Sequence, residues 1–211
     1  MTHHSEPGIT VTGVGHSSAA PDVMTVDMGI SVLAATVAEA RSLATTKAQS
    51  LVVILKDGGL TDEDIQTARY SIHPEYDHLE GQQRLRGYRV SNDLQVVLRD
   101  LPSAGEILDG ATAVGGDEVT INNVSFSIED QTAARDQARV AAWSDALARA
   151  EHLARLSGRS LGDVVEIVET TGRPPGPGPV PRMALAAGDA TPIEAGTTAI
   201  TVSLEVRFAL T

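Results

Sequence analysis

The sequence predicts an α+β protein with a mainly antiparallel sheet and helices packed on it. Seven segments have the apolar alternation of strands and three have the spacing of amphipathic helices, in the order β-β-α-β-β-α-β-α-β-β. From the second to the fifth strand, this order contains the β-α-β-β-α-β arrangement of the ferredoxin-like split motif. We therefore expect a ferredoxin-like core extended by a long helix and two further strands.

The first part of the chain predicts two strands and a helix. Residues 9–14 form a short strand, and Gly13 and Gly15 indicate a bulge or a close backbone approach. The second strand alternates strictly, and its apolar face consists of Met24, Val26, Met28, Ile30 and Val32. Residues 36–39 have the form of a capping box, Thr-x-x-Glu, which predicts a helix that ends at the glycine pair 58–59.

The middle of the chain predicts a hairpin, a short helix and another strand. Segments 65–73 and 87–98 have the character of strands, joined by a long polar connection. Pro102 suits the first turn of the helix, which the glycine pair 115–116 ends. In the next strand the alternation changes phase at the asparagine pair 122–123, which predicts a β-bulge at that point.

A long alanine-rich helix is predicted after Asp130, a suitable N-cap, and ends near Ser157 before Gly158. The predicted apolar stripe of this helix is Val140, Trp143, Leu147, Ala150 and Ala154, widened by Ala146 and Leu153. Trp143 in this stripe is interpreted as a core anchor. A strand follows at 164–168, and the last strand alternates at Ile200, Val202, Leu204, Val206 and Phe208.

Residues 172–195 are rich in Pro, Gly and Ala and show no regular period. Such a long loop inside a compact domain is uncommon unless it is used, so two interpretations stay open: a flexible surface loop, or a segment that docks on a neighbouring subunit. In the second case the interface candidates are Pro175, Pro177, Pro179, Met183 and Leu185. We predict a disordered N-terminus over 1–8 and a single domain over 9–211 that carries this insertion.

Composition argues against several partners. Acidic residues outnumber basic ones by 28 to 16, and the net charge of −12 disfavours binding to nucleic acid and to anionic membranes. The chain has no cysteine, which excludes disulfides and thiol catalysis, and no apolar run approaches the ~20 residues of a membrane span. The first residues lack the basic and apolar regions of a signal peptide, which favours a cytoplasmic location or a processed chain.

Motifs for catalysis are weak, and we expect no enzymatic activity and no cofactor. A nucleophile elbow, a phosphate-binding P-loop and an HExxH motif are all missing from the sequence. The best metal-like cluster lies in the segment 73–80, where the candidate ligands are His73, Glu75, Asp77 and His78. Imidazoles and carboxylates suit zinc or manganese, but the spacing matches no recognised site, so we interpret the segment as a solvated polar loop.

Several segments together resemble the SIMPL-domain family. They are the opening ITVTGVGHSSAAPDVMTVDMGI, then GYRVSNDLQVVLRDL, INNVSFSIED, the alanine-rich ARDQARVAAWSDALARAEHLARLSG and the ending MALAAGDATPIEAGTTAITVSLEVRFAL. The resemblance extends from about residue 8 to residue 210. It implies a bacterial protein of a family whose members are often exported, include an oligomeric periplasmic antigen, and in some cases are linked to oxidative-stress tolerance. It transfers no catalytic residue.

These observations lead to three hypotheses about the function of the protein. The first is a non-enzymatic protein that assembles into a symmetric homo-oligomer, through the edges of its sheet and the Pro-rich segment. The second is a small-ligand or metal-binding protein that uses the 73–80 loop. The third, a signalling adaptor, rests on the family name alone. The resemblance also makes a periplasmic or exported location the alternative to the cytoplasm.

Overall fold

The computed structural model describes residues 7–79, 82–170 and 194–211, which form two compact units. Within the described residues, the first unit holds residues 7–20, 128–170 and 196–211, and the second holds 21–79, 82–127 and 194–195. The five proline-segment interface candidates, residues 1–6 and residues 171–193 lie outside the described residues. The single domain over 9–211, the disordered terminus and the insertion therefore stay predictions.

Seven strands and three α-helices occur in the described residues, in the predicted order. The strands are β1 (Gly8–Ala19), β2 (Val23–Ala34), β3 (Ile65–Leu79), β4 (Gln82–Leu98), β5 (Val119–Ser127), β6 (Leu161–Thr170) and β7 (Thr198–Leu210). The helices are α1 (Val37–Asp57), α2 (Ala104–Gly115) and α3 (Thr132–Leu156). All strand pairs are antiparallel, which confirms the predicted α+β class.

The second unit is the ferredoxin-like core. Its sheet has the order β3-β4-β2-β5, and α1 and α2 pack on the apolar face of the sheet. Helix α1 begins as predicted, because Thr36 Oγ1 accepts a hydrogen bond from the Glu39 N–H at 3.2 Å. The predicted bulge is also confirmed, because Asp27 pairs with Asn123 while Met28 pairs with Ile121, which leaves Asn122 as the extra residue.

The hairpin of this unit corrects one prediction. Instead of ending at residue 73 with a long polar connection, β3 continues to Leu79, and β4 already begins at Gln82. Residues 74–79 pair with residues 82–88 as a two-stranded ribbon. Most of the described side chains of this ribbon are exposed, so its sequence lacks the apolar alternation that marks a half-buried strand.

The first unit has a three-stranded sheet in the order β1-β7-β6, with α3 packed on it. The buried face of α3 is a row of alanines at four-residue spacing: Ala134, Ala138, Ala142, Ala146, Ala150 and Ala154. The stripe predicted for this helix is wrong in part, since Val140 is 67% exposed and Leu153 is also exposed. Trp143 is half-buried and its ring centroid lies 6.1 Å from that of Phe208.

The alanine row follows from the two glycines of β1. A Cβ atom on Gly13 or Gly15 would lie well inside van der Waals distance of the α3 backbone, at Ala142 and Ala138 respectively. The predicted close approach is therefore confirmed, and only the smallest side chains of α3 fit against this strand. Helix α3 begins at Thr132, and its N-cap is Gln131 rather than the predicted Asp130. Asp130 lies one residue further out, and its Oδ1 accepts a hydrogen bond from the Thr132 N–H at 2.9 Å.

Candidate functional site

The four metal-ligand candidates lie on strand β3, not in a loop. Successive strand residues point to opposite faces, so His73, Glu75 and Asp77 share one face of the ribbon and His78 lies on the other. The Nε2 atom of His78 lies 3.1 Å from the Gln83 side chain on β4. The structure therefore corrects the predicted loop and separates His78 from the other three residues.

Glu75 already has a charged partner. Arg89 Nε and Nη2 donate to its two carboxylate oxygens at 2.7 and 2.9 Å, and Arg89 Nη1 donates to Ser31 Oγ at 3.1 Å. These hydrogen bonds from Arg89 lower the pKa of Glu75. In the described part of the chain, no three His, Asp or Glu side chains converge as metal ligands. Metal binding by residues 73–80 stays a prediction, which calorimetric titration with divalent metals checks.

The side of the four-stranded sheet opposite α1 and α2 forms a polar groove of about 530 Å³. It is lined by side chains of both charges, including Asp27, Arg69 and Asp93. Asp27 accepts hydrogen bonds from Gln95 and Asn123, both at 3.4 Å. The groove is thus a polar surface on which one arginine, on β3, accompanies an aspartate on each of the neighbouring strands β4 and β2.

The histidine next to serines in β1 does not build a catalytic pair with them. His16 Nδ1 lies 3.0 Å from Thr201 Oγ1 on β7, directly across the sheet. Ser17 Oγ donates to the carbonyl oxygen of Ala134 at 2.7 Å, so its hydroxyl holds the start of α3 against β1. These contacts stabilise the fold of the first unit.

Strand β6 is the most exposed apolar element of the first unit. Val164, Val165, Ile167 and Val168 are each 40–54% exposed. Ile167 and Val168 are consecutive and therefore point to opposite faces, so both faces of the strand are open. Because the sheet order is β1-β7-β6, one backbone edge of β6 has no partner strand among the described residues.

The regular part of this edge is short and charged at both ends. Two register shifts interrupt the pairing of β6 with β7 before Glu166, after which residues 166–170 pair without interruption. Glu169 is held by Arg139 of α3, whose Nε lies 2.8 Å from Glu169 Oε2, and this contact lowers the pKa of Glu169. The ion pair fixes the far end of β6 against the helix and leaves Ile167 and Val168 on an ordered strand.

A second exposed feature is a cleft in the ferredoxin-like unit, between α1 and the β3–β4 hairpin. It has a volume of about 390 Å³, and Asn92 of β4 lines it. Sequence reasoning missed this residue, although its signal is visible. Asn92 occupies a position between Val90 and Leu94 where the alternation of β4 calls for an apolar side chain.

Comparison with known proteins identifies the family. A family model, SIMPL, described as a protein of unknown function (DUF541), matches residues 9–208. The chain belongs to the SIMPL family. The match covers strands of both compact units, from β1 to β7, and confirms the resemblance inferred from the sequence.

Individual relatives agree with this assignment. The chain is 33% identical to the 26 kDa periplasmic immunogenic protein of Brucella melitensis, over 95% of this chain and 83% of the relative. It is 32% identical to the uncharacterized protein YggE of Escherichia coli K12, over 76% of this chain and 65% of the relative. Similarity to YggE of Edwardsiella ictaluri is 31% over 76% of this chain and 67% of the relative.

None of the three helices in the described residues combines the length and the apolar character that crossing a bilayer requires.

Proposed function

We propose that this SIMPL-family chain is a non-enzymatic protein that assembles into a closed, symmetric homo-oligomer in the bacterial periplasm. The observation that carries the proposal is the open edge of β6, with Ile167 and Val168 exposed on opposite faces. An ordered, apolar edge strand exposes unpaired backbone groups that readily pair with another strand. Every copy of the chain has the same open edge, so we expect its partner strand to be β6 of a second copy.

Antiparallel pairing of two β6 strands about a two-fold axis supports this choice. Such an interface is self-complementary and would join two three-stranded sheets into one sheet of six. Pairing satisfies the free backbone N–H and C=O groups, and it covers the valine and isoleucine side chains at the edge. A ring of more than two subunits needs a second contact region, for which the exposed apolar side chains Tyr70, Ile72 and Tyr76 of β3 are available.

The periplasmic location is proposed by analogy with the Brucella relative, whose name states that it is periplasmic. Export is the alternative that the sequence resemblance already raised against a cytoplasmic location. The link to oxidative stress stays a prediction from the family resemblance. Fractionation of cells that express the natural chain, with immunodetection, checks the location, and recovery in the cytoplasmic fraction contradicts it.

Light scattering on a sizing column tests the assembly directly. We expect a discrete particle whose mass is a multiple of the 22.1 kDa chain, and negative-stain images with closed symmetry. Val168→Lys, at the centre of the regular β6 edge, should reduce the mass because antiparallel pairing centred there would place two lysine ammonium groups directly opposite each other. The matched control is Val140→Lys on α3, another exposed valine of the same unit, which should leave the mass unchanged.

Two outcomes would contradict the proposal. A wild-type mass of 22.1 kDa at micromolar concentration removes self-assembly altogether. An oligomer that persists in the Val168→Lys variant removes β6 as the interface. Deletion of residues 173–194 separates the two interpretations of the Pro-rich segment: a changed mass with a retained fold supports its role as a subunit tether, and an unchanged mass contradicts that role.

A further inference from the structure

One row of residues crosses all four strands of the ferredoxin-like sheet on the side opposite the helices. Arg69 of β3 lies opposite Asp93 of β4. Gly29 of β2 lies between Asp93 and Thr120 of β5. The three side chains of this row line the polar groove of about 530 Å³. The row therefore places a guanidinium, a carboxylate, a gap without a side chain and a hydroxyl next to one another across the groove.

The opposite charges in this row do not neutralise each other. Side chains of opposite charge that lie directly opposite on neighbouring strands ordinarily attract each other. In the part of the chain that the structure describes, however, neither Arg69 nor Asp93 has an ion pair or a side-chain hydrogen bond. Asp93 Oδ1 instead lies 3.0 Å from the point that a Cβ atom on Gly29 would occupy, so the carboxylate extends over the glycine. Both charges are therefore available to a ligand.

A second carboxylate faces the same gap. Asp27 lies two residues before Gly29 on β2, and both positions are on the open side of the sheet. Asp27 pairs with Gln95 while Gly29 pairs with Asp93, so the two aspartates are diagonal neighbours with Cα atoms about 7–8 Å apart. Both aspartates are half-buried. At this spacing, both carboxylates can contact a single ammonium group above the glycine.

The charged groups of the groove favour a ligand that carries both charges. A simple anion would meet two carboxylates, and a simple cation would lie beside the like charge of Arg69. An apolar molecule would displace water from polar groups without replacing its hydrogen bonds. A zwitterion avoids each of these costs, since its ammonium group meets the carboxylates and its own carboxylate meets the guanidinium, which binds planar carboxylates through two hydrogen bonds.

We propose that this groove binds a free α-amino acid, with its ammonium group over Gly29 between Asp27 and Asp93 and its carboxylate on Arg69. The volume of the groove falls within the range of small-molecule sites, about 300–1,000 Å³. The site is independent of the proposed assembly through β6 and differs in place from the metal-binding alternative on residues 73–80. A polar amino-acid side chain suits the hydroxyl and amide groups that complete the lining, at Ser31, Ser91, Thr120 and Asn122.

The test compares amino acids with derivatives from which one charge has been removed. The probes are L-serine, L-threonine and L-glutamine, each with its N-acetyl derivative, which lacks the ammonium group, and its C-terminal amide, which lacks the carboxylate. Saturation-transfer NMR on the full chain detects binding, and calorimetric titration gives the affinities. We expect at least one amino acid to bind, and both of its derivatives to bind about fivefold more weakly or worse, because each leaves a charged group of the groove unpaired.

Two variants assign the two ends of the ligand. Asp93→Asn keeps the shape of the side chain and removes its charge, so it should reduce the preference for the amino acid over its N-acetyl derivative and retain the preference over the amide. Arg69→Gln should have the reverse effect. Both variants should keep the urea midpoint of the wild type, because neither side chain has a partner among the described residues.

The matched controls are Asp77→Asn and Arg84→Gln, at exposed positions of the β3–β4 ribbon outside the groove. They change the net charge of the chain by the same amounts as the two groove variants. Both controls should retain both preferences, which separates a contact in the groove from the overall field of the protein.

The proposal is overturned if none of the three amino acids binds at millimolar concentration, or if a bound amino acid and its two derivatives bind equally to the wild type. It is also overturned if Asp93→Asn or Arg69→Gln folds and keeps both preferences unchanged. Should Asp93→Asn fail to fold, the comparison of each amino acid with its derivatives on the wild type still decides. Asp27→Asn, at the other carboxylate, then provides the second variant and should also reduce the preference over the N-acetyl derivative.

Discussion

The two compact units differ in how their helices pack on the sheet. In the ferredoxin-like unit, large aliphatic side chains such as Met28, Ile30 and Leu51 fill the space between sheet and helices. In the first unit, α3 approaches β1 so closely that glycine faces alanine, and the helix backbone itself meets the strand at Gly13 and Gly15. One interface is filled by side chains, and the other is made by bringing backbones together.

The difference determines what each interface tolerates. A core of long side chains can adjust rotamers when one member changes, so volume-conserving exchanges have small effects. An interface between backbones has no side chain that can move aside, so a single added methyl group must displace the helix or the strand. We therefore expect the α3–β1 interface of the first unit to fail when Gly13, Gly15 or a buried alanine of α3 is enlarged.

The largest effect is expected from Gly15→Ala. The added Cβ would collide with the Ala138 carbonyl oxygen and the Ala142 backbone nitrogen, and we expect a loss of about 4 kcal/mol of unfolding free energy. Urea denaturation of the purified variant measures it. The control is Gly110→Ala in α2, where the new methyl would meet only Ile54 at 3.4 Å and helix propensity should add about 0.5–1 kcal/mol. Equal stability of the two variants would contradict the close-approach argument.

Leu51→Ala tests the other kind of core. Leu51 is fully buried in α1, and removal of its side chain should cost about 3 kcal/mol through lost burial and a residual cavity. Chemical denaturation gives the free energy, and amide hydrogen exchange should show the loss of protection concentrated in the ferredoxin-like unit. Leu156→Ala, at a position that is 72% exposed, is the control and should remain within about 0.5 kcal/mol of wild type.

The smallest effect is expected from pH at Asp145. Its Oδ2 atom accepts a hydrogen bond from the Val14 N–H at 2.9 Å, and this bond, followed by Arg149, lowers the pKa of Asp145 below its ordinary value of 3.8. A lowered folded-state pKa gives stability that is fully present above 3.8 and is lost as the pH falls through the folded value. The wild type should therefore lose stability on acidification.

The matched variant is Asp145→Asn, which keeps an acceptor for Val14 and removes the titration. Its urea midpoint should lie below that of the wild type at pH 7, and the difference should shrink as the pH falls below 3.8 towards the folded-state pKa of Asp145. Asp136→Asn, on the same helix, alters a carboxylate that bonds the Arg139 side chain rather than the strand backbone, and it should give a smaller difference at pH 7. A constant gap between Asp145→Asn and wild type from pH 7 to pH 3 would refute the assignment.

Much of the fold could be predicted because its local signals are strong. Strict alternation identified β2 and β7, and a change of phase in β5 located the bulge at Asn122. The buried face of α3 could not be predicted in the same way, because whether alanine or valine faces the sheet depends on Gly13 and Gly15, over a hundred positions earlier. The extent of the β3–β4 ribbon was missed for a related reason, since a strand with two exposed faces has no periodic signal.

The candidate sites, like the fold, could be predicted from the sequence only in part. Sequence reasoning anticipated that sheet edges would matter, and the apolar composition of residues 164–168 was already visible. It could not identify β6 as an edge, since that depends on the order β1-β7-β6. Asn92 stands out only when the apolar face of β4 is aligned, and its place in the cleft depends on where α1 lies. The ligand candidates at residues 73–80 looked close in sequence, but strand alternation separates His78 from the others.

The pairing of β1 with β7 has a consequence for biosynthesis. His16 lies opposite Thr201, 185 residues later, and the two strands pair over their whole length. At a translation rate of about 5–20 residues per second, β1 waits about 10–40 s before its partner has been made. Residues 21–127, by contrast, contain every strand of the ferredoxin-like sheet and can fold during that interval. Strand β1 thus leaves the ribosome long before β7, the strand with which it pairs.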